Sequence, residues 1–559
     1  DRMLEVLLSW IYILIVTYLL GFAFKLFIQW LTKNKLNLSF DIVIIAGFVM
    51  ATVYASYFSI FHGVGRLTNV ILVLICGIIF VSFYKKIKDD LIEAIKKLRY
   101  PKILLFFLLA VLFASATSAG VFHYDTSLYH AQAIHWIEQF GLVKGLGNLH
   151  HRFAYNSSYL ISNALFSLKF IFGRSLHTLS GLIMLLVTTY AFTSFRFIKE
   201  KVGKIYISDL VKIAALVYVV ICFGLAISPE SDLPAMLLVF YIIIKWLEGI
   251  EAKNNDPNYY SILSILLLYL VTVKLSTAFL LILAIKPAFL LLKKQNYKLI
   301  AIYIFLGFII ISPYLIRNIL ISGYLVYPVT KIDVFNVDWK MPKTIVEVDS
   351  QEIQVWGRGV NDVALFNQPT NIWLPKWFSS QIISDQLILI LNLAAIPIGL
   401  AMALFLRAKK WVGEYLWVWL AVAASVVFWL LSAPLIRYGL AFLLLLPALT
   451  IGILIKLTNF KLSRVLYVVL FLVFLLWLQL NGTYIISNIK SPYLIQQIDY
   501  PNFPATPFPL GKETIYIPVN GDQVGYSAFP ASLGYTNKTS YLKVELRGNG
   551  FSEGFRYKK

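Results

Sequence analysis

Five of the seven histidines, His123, His130, His135, His150 and His151, fall within residues 121–156 together with Asp125 and Arg152, in a chain that is otherwise almost continuously apolar. Ionisable side chains are costly beside hydrocarbon, so a membrane protein that gathers them in one segment does chemistry or holds a polar ligand there. Asp125, in His-Tyr-Asp-Thr, could take the proton of an attacking hydroxyl; it also stands where an N-cap is preferred. Metal ligation is poorly served by the spacing. His130 and His135 are five apart and off a common helix face, and neither HExxH nor HxH is present. The histidines therefore read as groups that orient a ligand or move a proton. No residue is assigned to a metal, and the one cofactor left open is a divalent cation, Mg or Mn, held by Asp125 and loop oxygens.

A second set of polar residues sits at the ends of apolar runs. Lys274 interrupts LYLVTVKLSTAFLL, Arg317 follows SPYLI, and Arg437 lies in SAPLIRYGLAF. Any one of them is explained by snorkelling. Three cations on the face that also carries Asp125 suit a phosphate or pyrophosphate, with arginine favoured for its bidentate fork. Glu230 and Asp232, in SPESDLPAM, add carboxylates to that face, although Pro229 and Pro234 also fit a plain turn. Arg152 is placed to hold a polar ligand.

These residues are positioned by a helical membrane scaffold. Of 559 residues, 59% are hydrophobic and 14% charged, and the mean hydropathy is +0.76, so lipid must serve as solvent. The apolar runs are about 17–23 residues long, which selects helices over a barrel. The spacing predicts about fourteen spans: 4–28, 41–61, 67–84, 103–121, 177–196, 209–227, 232–248, 259–273, 275–292, 298–316, 384–406, 411–431, 438–456 and 464–481. The first run lacks a small-residue cleavage site and reads as a retained span. The net charge of +21 is spread over short clusters between spans, which excludes a nucleic-acid stripe and follows the positive-inside bias. The basic segments 84–102, 196–204, 292–298, 407–410 and 456–464 then share the cytoplasmic side, provided 158–172 does not cross. The other side receives loops 122–176 and 317–383 and the tail from 482.

The expected organisation is thus an N-terminal helical part (1–102), a transmembrane core with the two large loops (103–481), and a small β-containing extramembrane domain (482–559), suggested by TIYIPV and SYLKVEL. Within the first loop, Tyr129, Ala133, Ile137 and Phe140 share one helical face and Gln132, His135 and Gln139 the other, predicting an interfacial helix with its polar face toward water or ligand. Cys76 and Cys222 lie in apolar segments and imply no disulfide.

An aspartate just after an early span, in a first loop with an interfacial helix, resembles the GT-C superfamily of glycosyltransferases. The stretch HYDTSLYHAQAIHWIEQFGLVKGLGNLHHRFAYNSS and the residues Arg317, Asn318, Gly323, Tyr327 and Pro328 are similar to segments of a bacterial multi-pass membrane family. The resemblance, over about 103–450, implies an all-α GT-C-like enzyme of the bacterial inner membrane, with active face and C-terminus extracytoplasmic. It implies Asp125 as catalytic base or metal holder, and Arg317, Arg437 and Lys274 on a lipid phosphate, with Asn318 beside them. Three spans precede the one carrying the loop, and no second acid adjoins Asp125, both departures from the pattern. The expected activity is inverting transfer of a sugar from a polyprenyl-phosphate donor to an extracytoplasmic glycan, lipid or protein acceptor, with membrane lipids and no nucleic acid as partners. His123, His130, His135, Arg152, Glu230 and Asp232 would complete the binding site. A transporter or flippase of a lipid-linked or polar solute, and a non-catalytic subunit of an envelope complex, are the alternatives.

Overall fold

The computed structural model describes residues 2–199, 205–406, 409–458, 463–489, 496–532 and 543–558. Among the described residues, thirteen helices are long and apolar enough to cross a membrane, so the chain is a polytopic helical membrane protein. The predicted fourteenth span, 259–273, is the shorter apolar helix Pro257–Val273, about 26 Å long at 1.5 Å per residue. Its ends are fixed locally. Asp256 accepts from the Asn258 N–H at 3.0 Å, Pro257 opens the first turn, and Lys274 leaves in extended backbone. The segment 158–172 breaks into Ser158–Leu165 and Lys169–Phe172. The predicted basic connection 84–102 largely continues the preceding helix, Arg66–Lys97, past an irregularity at Phe83.

Small residues set the closest crossing. A Cβ on Gly21 would lie 1.8 Å from the Val43 carbonyl oxygen, and one on Gly47 would lie 1.6 Å from that of Thr17. Helices Leu4–Thr32 and Phe40–Phe58 therefore meet backbone to backbone, as small residues permit where no hydrophobic effect drives helices together. At the centre lies Asp232–Glu251, nearly all of it buried, packed against Leu179–Ser194, Ile207–Cys222, Pro257–Val273 and Ile436–Thr458. Helices Ile383–Leu406 and Arg464–Thr483 keep most of their apolar surface outward, where lipid covers it.

The far end of the central helix carries a buried charge network. Lys212, 0% exposed, meets Glu248 at 2.9 Å and Asp209 at 3.2 Å, and Lys245 meets Asp41 at 3.1 Å. Its charges are paired, as burial demands.

The tail forms two antiparallel pairs, β1 (Ala505–Leu510) with β2 (Glu513–Pro518) and β3 (Val544–Leu546) with β4 (Phe555–Tyr557). Strand β2 falls on the predicted TIYIPV; part of SYLKVEL lies outside the described residues. The loop helix, Ala131–Phe140, departs from expectation in part, because the tail covers Gln132 and His135 of the polar face predicted to meet water or ligand and leaves Gln139 exposed. Gln132 Nε2 donates to the Gly525 and Ala528 carbonyls at 2.9 Å each, and its Oε1 accepts from the Ala531 N–H at 2.9 Å. The His135 ring stacks on Tyr526 and Phe529, with centroids 4.2 and 3.8 Å away. Trp136 meets Phe529, Phe551 and Phe555. The tail supplies partners that an isolated amphipathic pattern assigns to solvent.

Candidate functional site

Four chain segments that end at the loop-bearing face enclose a cavity of about 370 Å³. The turn after helix Tyr100–Ala119 contributes Asp125, Tyr129 and His130; the turn into Asp232–Glu251 contributes Glu230 and Asp232; Lys274 follows Pro257–Val273; and Trp429 and Tyr438 come from the Lys410–Ser432 and Ile436–Thr458 pair. Arg152, Tyr155, Tyr327, Ser350 and Gln354 form the loop-side wall, the last two from helix Lys343–Gly357. The volume lies in the range of small-molecule sites.

Asp125 is not a simple cap. Its side chain caps nothing; its Oδ2 accepts from Arg437 Nη2 at 2.9 Å. The next turn is π-helical, closed by the Ala131 N–H onto the Thr126 carbonyl, an irregularity frequent at functional sites. Arg437 Nη1 and the Asp125 N–H each donate to His123 Nδ1, both at 3.1 Å, so Nδ1 carries no proton and the neutral ring is protonated on Nε2. Burial, then the facing Arg437, pushes His123 down. The 3.6 and 3.7 Å approaches of Nδ1 to Asp125 and Glu230 are therefore not charge pairs.

The chain of charges continues inward. Asp232 Oδ1 accepts from Lys274 Nζ, and Asp232 Oδ2 lies 3.8 Å from Arg437 Nε. Tyr438 sits beneath both cations, its ring centroid 4.1 Å from Lys274 Nζ and 4.9 Å from the Arg437 guanidinium carbon. The carboxyls are driven apart. Burial raises Asp125, but Arg437 together with the neighbouring His130 and His123 outweighs this and leaves it below the usual range. Burial, reinforced by Asp232, leaves Glu230 raised despite Arg437. Two carboxyls of opposite tendency on one cavity provide an ionised base and a neutral hydrogen-bond donor. His130, pushed down to about 4 by burial, is neutral.

On the opposite wall, Asp349 is 2% exposed. Its Oδ2 accepts from Tyr155 at 2.6 Å and Tyr327 at 2.9 Å. Its Oδ1 lies 3.5 Å from Arg152 Nη1 and 3.2 Å from His151 Nε2.

Asp125, His130, Arg152, Glu230, Asp232 and Lys274 line the cavity, and Arg437 and His123 stand behind Asp125. Three expected ligand contacts are placed elsewhere, which corrects their role. Arg317, 3% exposed, donates to Asn156 Oδ1 at 2.9 Å, Ser59 Oγ at 2.7 Å and the Gly141 carbonyl at 3.3 Å. Its donors bind loop to span and leave no fork for a phosphate. Asn318 accepts from Asn156 Nδ2 at 3.2 Å and donates to the Leu325 carbonyl at 3.1 Å. His135 is enclosed by the tail aromatics. Conversely, Tyr155, Tyr327, Asp349, Gln354, Trp429 and Tyr438 escape a reading by charge and spacing. Only Tyr327, in the resembling stretch, and Tyr438, next to Arg437, carry a signal.

No curated protein and no solved structure matches the chain. A family model does match, over residues 3–444 of the 559, a range that includes every cavity residue named above. The chain belongs to the family described as Domain of unknown function (DUF8201).

Proposed function

We propose that the protein is an inverting, membrane-embedded glycosyltransferase that takes a sugar from a polyprenyl-phosphate donor and passes it to an acceptor on the extracytoplasmic side of a bacterial inner membrane. The observation that carries the reading is that an ionised Asp125 and Lys274 line one cavity while Arg437 pairs with Asp125 beside it. The cations suit the donor phosphate, by charge-assisted hydrogen bonds.

The pairing at rest supplies a sequence of events. A phosphate that takes the Nη donors of Arg437 releases Asp125, whose basicity rises as its counter-charge is diverted. Asp125 then accepts the proton of the acceptor hydroxyl as that oxygen bonds to the anomeric carbon. The bond from anomeric carbon to phosphate oxygen breaks on the opposite face, giving inversion. The electron pair leaves with the polyprenyl phosphate, whose added charge Arg437 and Lys274 stabilise. Protonated Glu230 can donate to a sugar hydroxyl or to the leaving phosphate.

The test is release of polyprenyl phosphate, followed by mass spectrometry, from a panel of synthetic polyprenyl-phosphate hexoses added to the full-length protein in nanodiscs with cell-envelope extract as acceptor source. The parent should release it and Asp125→Asn should not, with both equally folded. Equal release by the Asp125→Asn variant removes the base; no release with any donor leaves the structural-subunit reading ahead.

A further inference from the structure

Helix Lys343–Gly357 and the loop segment His151–Ala154 come from distant parts of the chain, yet together they form the loop-side wall of the cavity. Where they meet, His151, Asp349 and Glu352 bring one ligand-capable atom each within 4.8 Å of one another. We infer that these three side chains hold a divalent first-row cation that clamps the wall together. The inference is independent of the transferase reading.

The two carboxylates are three residues apart on one helix, a spacing that puts them on a common face. Around an ion with bonds of about 2.1 Å, neighbouring ligands lie about 3.0–3.4 Å apart. His151 Nε2 and Asp349 Oδ1 are 3.2 Å apart, and a carboxylate oxygen of the half-buried Glu352 lies within 4.8 Å of both groups.

Asp349 is the second argument. Its Oδ2 is fixed by two tyrosine hydroxyls, while its buried Oδ1 accepts no hydrogen bond. A carboxylate oriented through one oxygen by outer partners and turned with the other toward an imidazole has the form of a metal ligand with its supporting shell. Arg152 Nη1 approaches the same oxygen, at 3.5 Å. An ion would displace that contact, and the guanidinium already has a second seat over the Trp356 ring, 5.0 Å from its centroid. One imidazole with two carboxylates selects zinc or manganese over calcium.

The experiment is equilibrium dialysis of chelator-stripped, full-length protein in nanodiscs against Zn²⁺ or Mn²⁺ with Mg²⁺ in excess, with bound metal measured by elemental mass spectrometry. The parent and Asp125→Asn should each retain about one ion per chain, and the metal should raise their unfolding temperature. His151→Gln and Glu352→Gln should lose both the ion and the shift, while their metal-free thermal transitions match that of the parent. A parent that retains no ion, or variants that retain as much as the parent, overturns the site. An altered metal-free transition in one variant is resolved by the other, because the two residues lie on different segments.

Discussion

Replacing Asp125 with Asn should have two effects of opposite sign. The amide keeps the shape of the carboxylate and can still accept from Arg437, but it cannot take a proton, so transfer should stop. Affinity for the donor phosphate should rise, because Asp125 is the group a phosphate must displace from Arg437. At an effective dielectric of 20 the Coulomb attraction of a close pair is about 4 kcal/mol. The side chains of Arg437 and Asp125 are 31% and 20% exposed, so solvent screening lowers the net to about 1–2 kcal/mol. Removing the competing charge should tighten binding of a short-chain polyprenyl phosphate by about 5- to 30-fold. Native mass spectrometry or thermophoresis in nanodiscs at 0.15 M salt reads this directly, and Arg437→Gln provides the opposite sign. An Asp125→Asn variant that is folded yet binds the lipid phosphate no better than the parent would refute the partner exchange and leave Arg437–Asp125 as a structural tie.

Burial, then Asp232, raises Glu230, so the folded state holds its proton where the unfolded chain has lost it. Stability is then highest below the ordinary glutamate value of 4.5 and falls as pH rises above it. Glu230→Gln should flatten this slope in thermal unfolding between pH 5 and 9; an unchanged slope would assign it to other groups. Gln132→Ala removes three hydrogen bonds to the tail, a loss of about 1–3 kcal/mol, and should speed hydrogen exchange over 525–531 ahead of the membrane helices. Gly47→Ala places a methyl 1.6 Å from a backbone oxygen, which a helix pair can meet only by separating. It should cost about 1–3 kcal/mol or more, seen as a lowered unfolding temperature, whereas Gly77→Ala, with nothing within 4 Å, should be neutral.

Hydropathy and length made the helical scaffold legible, because each span must satisfy its own backbone and that requirement is local. Asp125, Glu230, Asp232, Lys274 and Arg437 were legible as a group for a related reason: charge at the end of an apolar run needs an explanation. Local pattern could not say which charges meet. Arg317 and Arg437 occupy similar positions near helix ends, yet one is saturated by Asn156, Ser59 and a carbonyl and the other reaches Asp125. The amphipathic helix 131–140 misleads in the same way. Its polar face is real, but the water it was expected to meet is replaced by a segment almost 400 residues away. Asp349 gives no signal at all, since its burial depends on Arg152 and Tyr155 arriving from one distant part of the fold and Tyr327 from another.

The pairing of the cations in and beside the cavity with carboxylates, Arg437 with Asp125, Lys274 with Asp232 and Arg152 with Asp349, bears on function as well as stability. A bare cation at this depth would carry a desolvation penalty of several kcal/mol, so a site built to receive an anion must hold an internal one in reserve. An internal partner lowers the affinity for the ligand but keeps the empty site folded. It also couples the two events that a transferase must order. In the proposed reaction Asp125 would stay a weak base while Arg437 holds it, and would become a stronger one only when a donor phosphate has taken its place. A site with Asp125 permanently unpaired would offer an active base to water before any donor arrived.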